Sequence, residues 1–115
     1  MIKKEEFEKI LIDARQAGIV AVIGMKDTYP CGNAYLQAEG NSEIVKLFKK
    51  YGVKDLNGDY EVMGWTARKG YPKGYDISHG GNKYQNMDMH SARATKEAGI
   101  LGMNNLVVSV RTYID

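Results

Sequence analysis

The sequence predicts an α+β fold, a mostly antiparallel sheet of four to five strands with three helices packed mainly on one face. Three observations lead there. Apolar residues recur at i, i+3, i+4 and i+7 near the N-terminus and at helical spacing in later segments. Residues 31–39 and 106–114 alternate with a period of two. The chain has 115 residues, 43% of them apolar and 26% charged, which is the size and composition of one domain with one core. The whole chain, 1–115, is therefore expected to be a single domain that folds alone.

In the first helix Phe7, Ile10, Leu11 and Ala14 form a one-sided stripe, and Lys3, Glu5, Glu6, Glu8 and Lys9 fall mostly off it. Gly18 is expected to close this helix, since glycine accepts the left-handed conformation that commonly ends one. Residues 19–23 are a continuous, largely β-branched run and read as a strand covered on both faces. A turn follows over 26–30, because Pro30 has no N–H for a ladder and holds Tyr29 extended. In the next strand, 31–39, Gly32, Ala34, Leu36 and Ala38 face one way and Asn33, Tyr35, Gln37 and Glu39 the other.

Asn41 or Ser42 caps a second helix with the stripe Ile44, Leu47, Phe48 and Tyr51, and Gly52 stops it. Asn57-Gly58 is a turn, and 60–67 reads as one strand with Glu61, Met63, Trp65 and Ala67 on one side. Residues 68–86 show little periodicity beyond a short extended piece at 75–78, so a long loop is expected there. Asn86 or Asp88 caps a third helix that ends at Gly99, with Ser91, Ala94, Thr95 and Ala98 as its packing stripe. The last strand runs from Leu106 to the C-terminus.

Composition narrows the function classes. No apolar run approaches the roughly 20 residues of a membrane span, and the charged start Lys3-Lys4-Glu5-Glu6 is unlike a secretory signal. The single cysteine, Cys31, can form no internal disulfide and no cysteine cage for zinc. A cytoplasmic protein is expected, without a cofactor or metal. The formal net charge is +2, and residues 68–86 hold four basic residues against one acidic residue, so the positive excess is concentrated in that segment.

The sheet face turned away from the helices is the expected working surface. It draws Asn33, Tyr35 and Gln37 from one strand, Trp65 from another, and Arg111 and Tyr113 from the last. Tyrosine and tryptophan offer rings for stacking, and the planar fork of Arg111 suits phosphate or carboxylate. The neighbouring loop interleaves Tyr71, Tyr75 and Tyr84 with Lys69, Lys73 and Lys83, a pattern suited to nucleotides. Candidate binding residues are Asn33, Tyr35, Trp65, Lys83, Tyr84, Gln85, Asn86, His90, Arg111 and Tyr113, with no catalytic residue assigned. The bland alternative is a solvated or self-associating face with ordinary surface ion pairs. Gly80-Gly81 beside Asn82-Lys83 has neither the dinucleotide fingerprint nor the Walker spacing, although a backbone nest for one anion is possible. His79 and His90 with Asp76 and Asp88 match no metal-ligand spacing.

Cys31-Gly32-Asn33-Ala34-Tyr35, Gln85-Asn86-Met87, the alanine-rich helix before Gly99-Ile100, and the ending Ser109-Val110-Arg111-Thr112-Tyr113-Ile114-Asp115 together resemble a family of small proteins encoded by phages and prophages. The similarity covers the chain from Cys31 onward as scattered short motifs. The family's ending sets Ser, Arg and Asp closer together than Ser109, Arg111 and Asp115 stand here. The resemblance implies a host-cell cytoplasmic setting and, by analogy, a homo-oligomeric sponge that sequesters a nucleotide-derived signal of host defence. Two other readings stay open. One is a small nucleotide-cleaving hydrolase using His79, His90 or Cys31; the other is a protein–protein inhibitor that grips a host enzyme by an edge or loop.

Overall fold

The computed structural model describes residues 1–114. Nine elements follow in order: α1 (Lys4–Ala21), β1 (Gly32–Ala38), α2 (Glu43–Tyr51), β2 (Val53–Lys54), β3 (Tyr60–Val62), β4 (Trp65–Lys69), β5 (Tyr75–His79), α3 (Met87–Met103) and β6 (Ser109–Ile114). The strands form one antiparallel sheet in the order β2-β3-β4-β5-β1-β6. The α+β class and the three helices agree with the sequence reading, and the sheet has six strands where four or five were expected.

The core lies between the helices and one sheet face. Phe7, Leu11 and Ala14 of α1, Ile44, Leu47 and Phe48 of α2, and Ala94 and Leu101 of α3 meet Leu36, Ala67, Ile77 and Trp65 of the strands. Phe7 and Phe48 pack edge to face with ring centroids 5.3 Å apart. The alternation of β1 survives intact, Gly32, Ala34, Leu36 and Ala38 being buried and the residues between them half-exposed. Register then fixes the opposite face: Asn33 lies across from Tyr113, Tyr35 from Arg111, Gln37 from Ser109 and Asp76, and Arg68 from Asp76.

Several expected boundaries move. Residues 19–23 are not a strand: α1 continues to Ala21, and Ile19, Val20 and Ile23 are exposed. Gly18 does not end the helix but is buried within it, where an added Cβ would come 2.8 Å from Arg93 Cγ and 2.9 Å from Glu97 Oε2. Its role is close approach of α1 and α3. The expected strand 60–67 is a hairpin, β3 and β4, turning at Met63-Gly64 with φ of 51° and 80°. Two successive positive φ values define a two-residue turn whose twist suits the flanking strands. The expected loop 68–86 contains the end of β4 and all of β5, so only the connection 70–74 and the stretch 80–86 before α3 remain irregular. α3 runs past Gly99 to Met103, and its buried face is Met89, His90, Arg93, Ala94, Glu97 and Leu101, rotated from the predicted stripe. The last strand starts at Ser109 and is an edge strand; Asp115 lies outside the described residues. No described helix is long and apolar enough to cross a membrane.

Candidate ligand-binding cleft

The site begins where two strands part. β1 and β5 are in register from Ala38↔Tyr75 to Leu36↔Ile77 and no further. Beyond Leu36 the gap is bridged from the helix layer: Arg93 of α3 sends Nη2 to the carbonyl of Ala34 at 2.8 Å. On the open side of this gap lies a cleft of about 880 Å³, within the range of small-molecule sites. Asn33, Tyr35 and Tyr113 form one wall, and Thr66, Arg68 and Ser78 form another. The loop residues Gly80, Gly81, Asn82, Tyr84 and Gln85 close one end, with His90 and Arg93 below.

The floor is a buried ionic triad. Arg93 Nη1 donates to Glu97 Oε1 at 2.7 Å, and His79 Nε2 meets Glu97 Oε2; all three side chains are at most 5% exposed. The other ring nitrogen of His79 donates to the Gly80 carbonyl at 3.0 Å. Arg93 Nε is buried without a partner.

His90 stands beside the triad. Its Nε2 donates to the Tyr84 carbonyl at 2.9 Å, which leaves Nδ1 as the acceptor facing Arg93 Nη2 at 3.5 Å. Burial pushes its pKa below the ordinary histidine value, with the Tyr84 carbonyl opposing that shift. The Tyr84 ring leans on His90 with centroids 4.6 Å apart. Burial raises the pKa of its phenol, with the nearby Arg93 charge opposing, so Tyr84 faces the cleft as a neutral hydroxyl.

The loop is tied to the rest of the fold at its C-terminal end. Asp27 Oδ1 accepts from the backbone N–H groups of Gln85 and Asn86 at 2.9 and 2.8 Å. Gly32 N–H donates to the Gln85 carbonyl at 2.9 Å, and Met87 N–H to that of Pro30 at 3.0 Å. Asn86 Oδ1 accepts from Met89 N–H at 2.9 Å, capping α3 as the sequence suggested.

Of the ten candidate binding residues, Asn33, Tyr35, Tyr84, Gln85, His90 and Tyr113 line this one cleft. Trp65 does not. It is 1% exposed on the helix-facing side, and its Nε1 donates to the Leu11 carbonyl at 3.1 Å, so its ring belongs to the core. Asn86 is buried and spent on capping, its Nδ2 donating to the Thr28 carbonyl. Lys83 is exposed on the loop outside the lining. Arg111 shares the open face, where its Nε donates to Gln37 Oε1 at 3.1 Å, and lies beside the cleft rather than in it. Cys31 Sγ faces Gln85 Oε1 at 3.7 Å, while the imidazoles of His79 and His90 are engaged by other groups.

Sequence reasoning missed Arg93 and Glu97. Their i, i+4 spacing in one turn with His90 at i−3 was the available signal, because such residues share a helical face. Among the described residues, no group of three or more histidine, cysteine, aspartate or glutamate side chains is placed to hold a metal ion. Comparison with protein-family models, with curated proteins and with solved structures returns no match.

Proposed function

We propose that this protein is a non-enzymatic binder that sequesters a small anionic, nucleotide-derived ligand in the cleft, as a phage-encoded sponge for a host-defence signal would. The observation that carries the reading is the buried Arg93–Glu97–His79 triad, with Arg93 Nε left without a partner, at the floor of a cleft walled by Tyr35, Tyr84 and Tyr113. A buried donor without an acceptor is costly, and an anion entering the cleft supplies one. Tyr35 and Tyr113, with centroids 6.1 Å apart, offer faces for a base or sugar.

Self-association is part of this proposal. The other sheet edge, β2, is only two residues long and ends in Lys54, whereas β6 offers six residues with no lysine or proline. A second copy paired antiparallel about Thr112 sets Val110 opposite Ile114 and Arg111 opposite Tyr113. The partner copy's arginine would then stand next to a tyrosine of the cleft wall.

The test is thermal shift and calorimetry with linear and cyclic nucleotides, followed by recovery of each ligand after denaturation. Binding with unaltered ligand, weakened roughly 5- to 100-fold by Tyr35→Ala, is the expected result. Recovery of a cleaved ligand would make the protein a hydrolase. No nucleotide binding, together with a stable complex with a host protein, would make it an inhibitor.

A further inference from the structure

The Gly80–Gly81 peptide is held from behind. Its carbonyl accepts from Arg15 Nη2 of α1 at 3.0 Å and from His79 Nδ1 at 3.0 Å, two groups on the helix side of the sheet. In a trans peptide the N–H points opposite to the C=O, and the only cis peptides among the described residues precede Pro30 and Pro72. The Gly81 N–H is therefore turned to the open side, where Gly80, Gly81 and Asn82 border the cleft. Gly81 has φ of +90°, and a Cβ there would come 2.6 Å from Arg15 Nη2. Only glycine lets Arg15 lie so close behind the peptide. The second element is Arg93, 4% exposed, with one unpartnered nitrogen, at the floor of the same cleft.

We infer that the Gly81 N–H and the Arg93 charge form an oxyanion seat for a phosphoryl group, with Arg15 as a positioning residue that aims the peptide from outside the cleft. The inference rests on the cleft being the ligand site, and it specifies which end of the ligand binds where. The phosphoryl group sits at the loop, and the remainder of the ligand lies toward Tyr35 and Tyr113. An amide N–H and a fixed positive charge suit an oxygen of a tetrahedral phosphate. Arg15 touches only the far side of the peptide, so its removal frees the carbonyl without removing a cleft wall.

The experiment is a titration of ¹⁵N-labelled protein with inorganic phosphate and with pyrophosphate at constant ionic strength, using chloride as the control. The Gly81 amide should move downfield and saturate with pyrophosphate. Arg15→Gln should weaken that response at least about tenfold, the loss of one charge-supported contact, and Tyr35→Ala should leave it intact. Gly81→Ala is the second variant, expected to abolish the response. A Gly81 amide unmoved by either anion, or an Arg15→Gln protein that responds like the wild type, would overturn the seat. If pyrophosphate binds at Gly81 and nucleotides bind no better, the seat stands and the nucleotide reading falls. If nucleotides bind without moving Gly81, the reading stands and the seat falls.

Discussion

Arg93 reaches from α3 to the backbone of the central strand, its Nη2 donating to the Ala34 carbonyl at 2.8 Å while Nη1 holds Glu97 at 2.7 Å. One side chain thus bridges the helix layer and the parting of β1 from β5. Removing one partner of a buried ion pair leaves the other uncompensated, at a cost of about 3–5 kcal/mol. Arg93→Met is expected to lower the unfolding free energy by that amount in urea titrations. Arg93→Met combined with Glu97→Gln should recover part of the loss, because the stranded carboxylate is gone. Additive losses would show that the two residues act separately.

Gly18 and Gly99 both sit inside helices, yet their replacement by alanine should have opposite signs. At Gly18 the new methyl group meets Arg93 and Glu97 within 3 Å, and overpacking of this kind costs about 1–3 kcal/mol. At Gly99 there is open space, so alanine should stabilise by about 0.5–1 kcal/mol through helix propensity alone. Thermal unfolding of the two variants under one buffer checks both signs.

These two glycines also show why part of the fold was legible and part was not. Gly18 looks like a helix stop because local sequence carries no trace of the helix packed against it. The run after it looks like a strand because β-branched residues favour one, but here the preceding helix carries through it. Met63-Gly64 was read as strand interior, since methionine is an uncommon first residue for a turn requiring positive φ. Period-two alternation in β1 and β6 was reliable, and it placed Asn33, Tyr35, Arg111 and Tyr113 on one face. Trp65 was misplaced because the hairpin before it reset the alternation. Arg93 and Glu97 escaped notice because charged side chains are rarely buried unless paired, and the pairing with His79 appears only in the folded chain.

His90 makes stability depend on pH. Its folded pKa lies below the unfolded value of about 6.5, so the unfolded chain binds more protons in the window between them. Stability should be unaffected by this group above about pH 7.5 and should fall as the pH drops from about 6.5 toward the folded value. His90→Gln keeps an N–H for the Tyr84 carbonyl but does not titrate. Its urea midpoint should change less than that of the wild type between pH 7 and pH 5; equal slopes would assign the acid sensitivity to another group.

The β6 edge supplies a geometric test of self-association. Antiparallel pairing about Thr112 places the two copies of that residue directly opposite, about 4.5–5.5 Å apart at Cα, a distance a disulfide can span. In a Cys31→Ser background, Thr112→Cys should give a covalent dimer on mild oxidation. Val110→Cys should not, since its partner in that register is residue 114. Equal cross-linking at both positions, or a monomer by sedimentation, would argue against this pairing.

The parting of β1 from β5 gives the two layers of the molecule unequal freedom to change. Wall residues such as Thr66, Ser78 and Asn33 alternate with core residues along their strands, so each can be exchanged for another polar side chain while its neighbours keep the interior closed. The floor allows no such piecemeal exchange, because Arg93, Glu97 and His79 satisfy one another and Gly18 is shaped to admit them. On the proposed reading, selection or engineering could therefore retune which ligand the walls prefer while the residues beneath them stay constant. A small chain of this architecture can diversify its cleft walls by surface substitution alone.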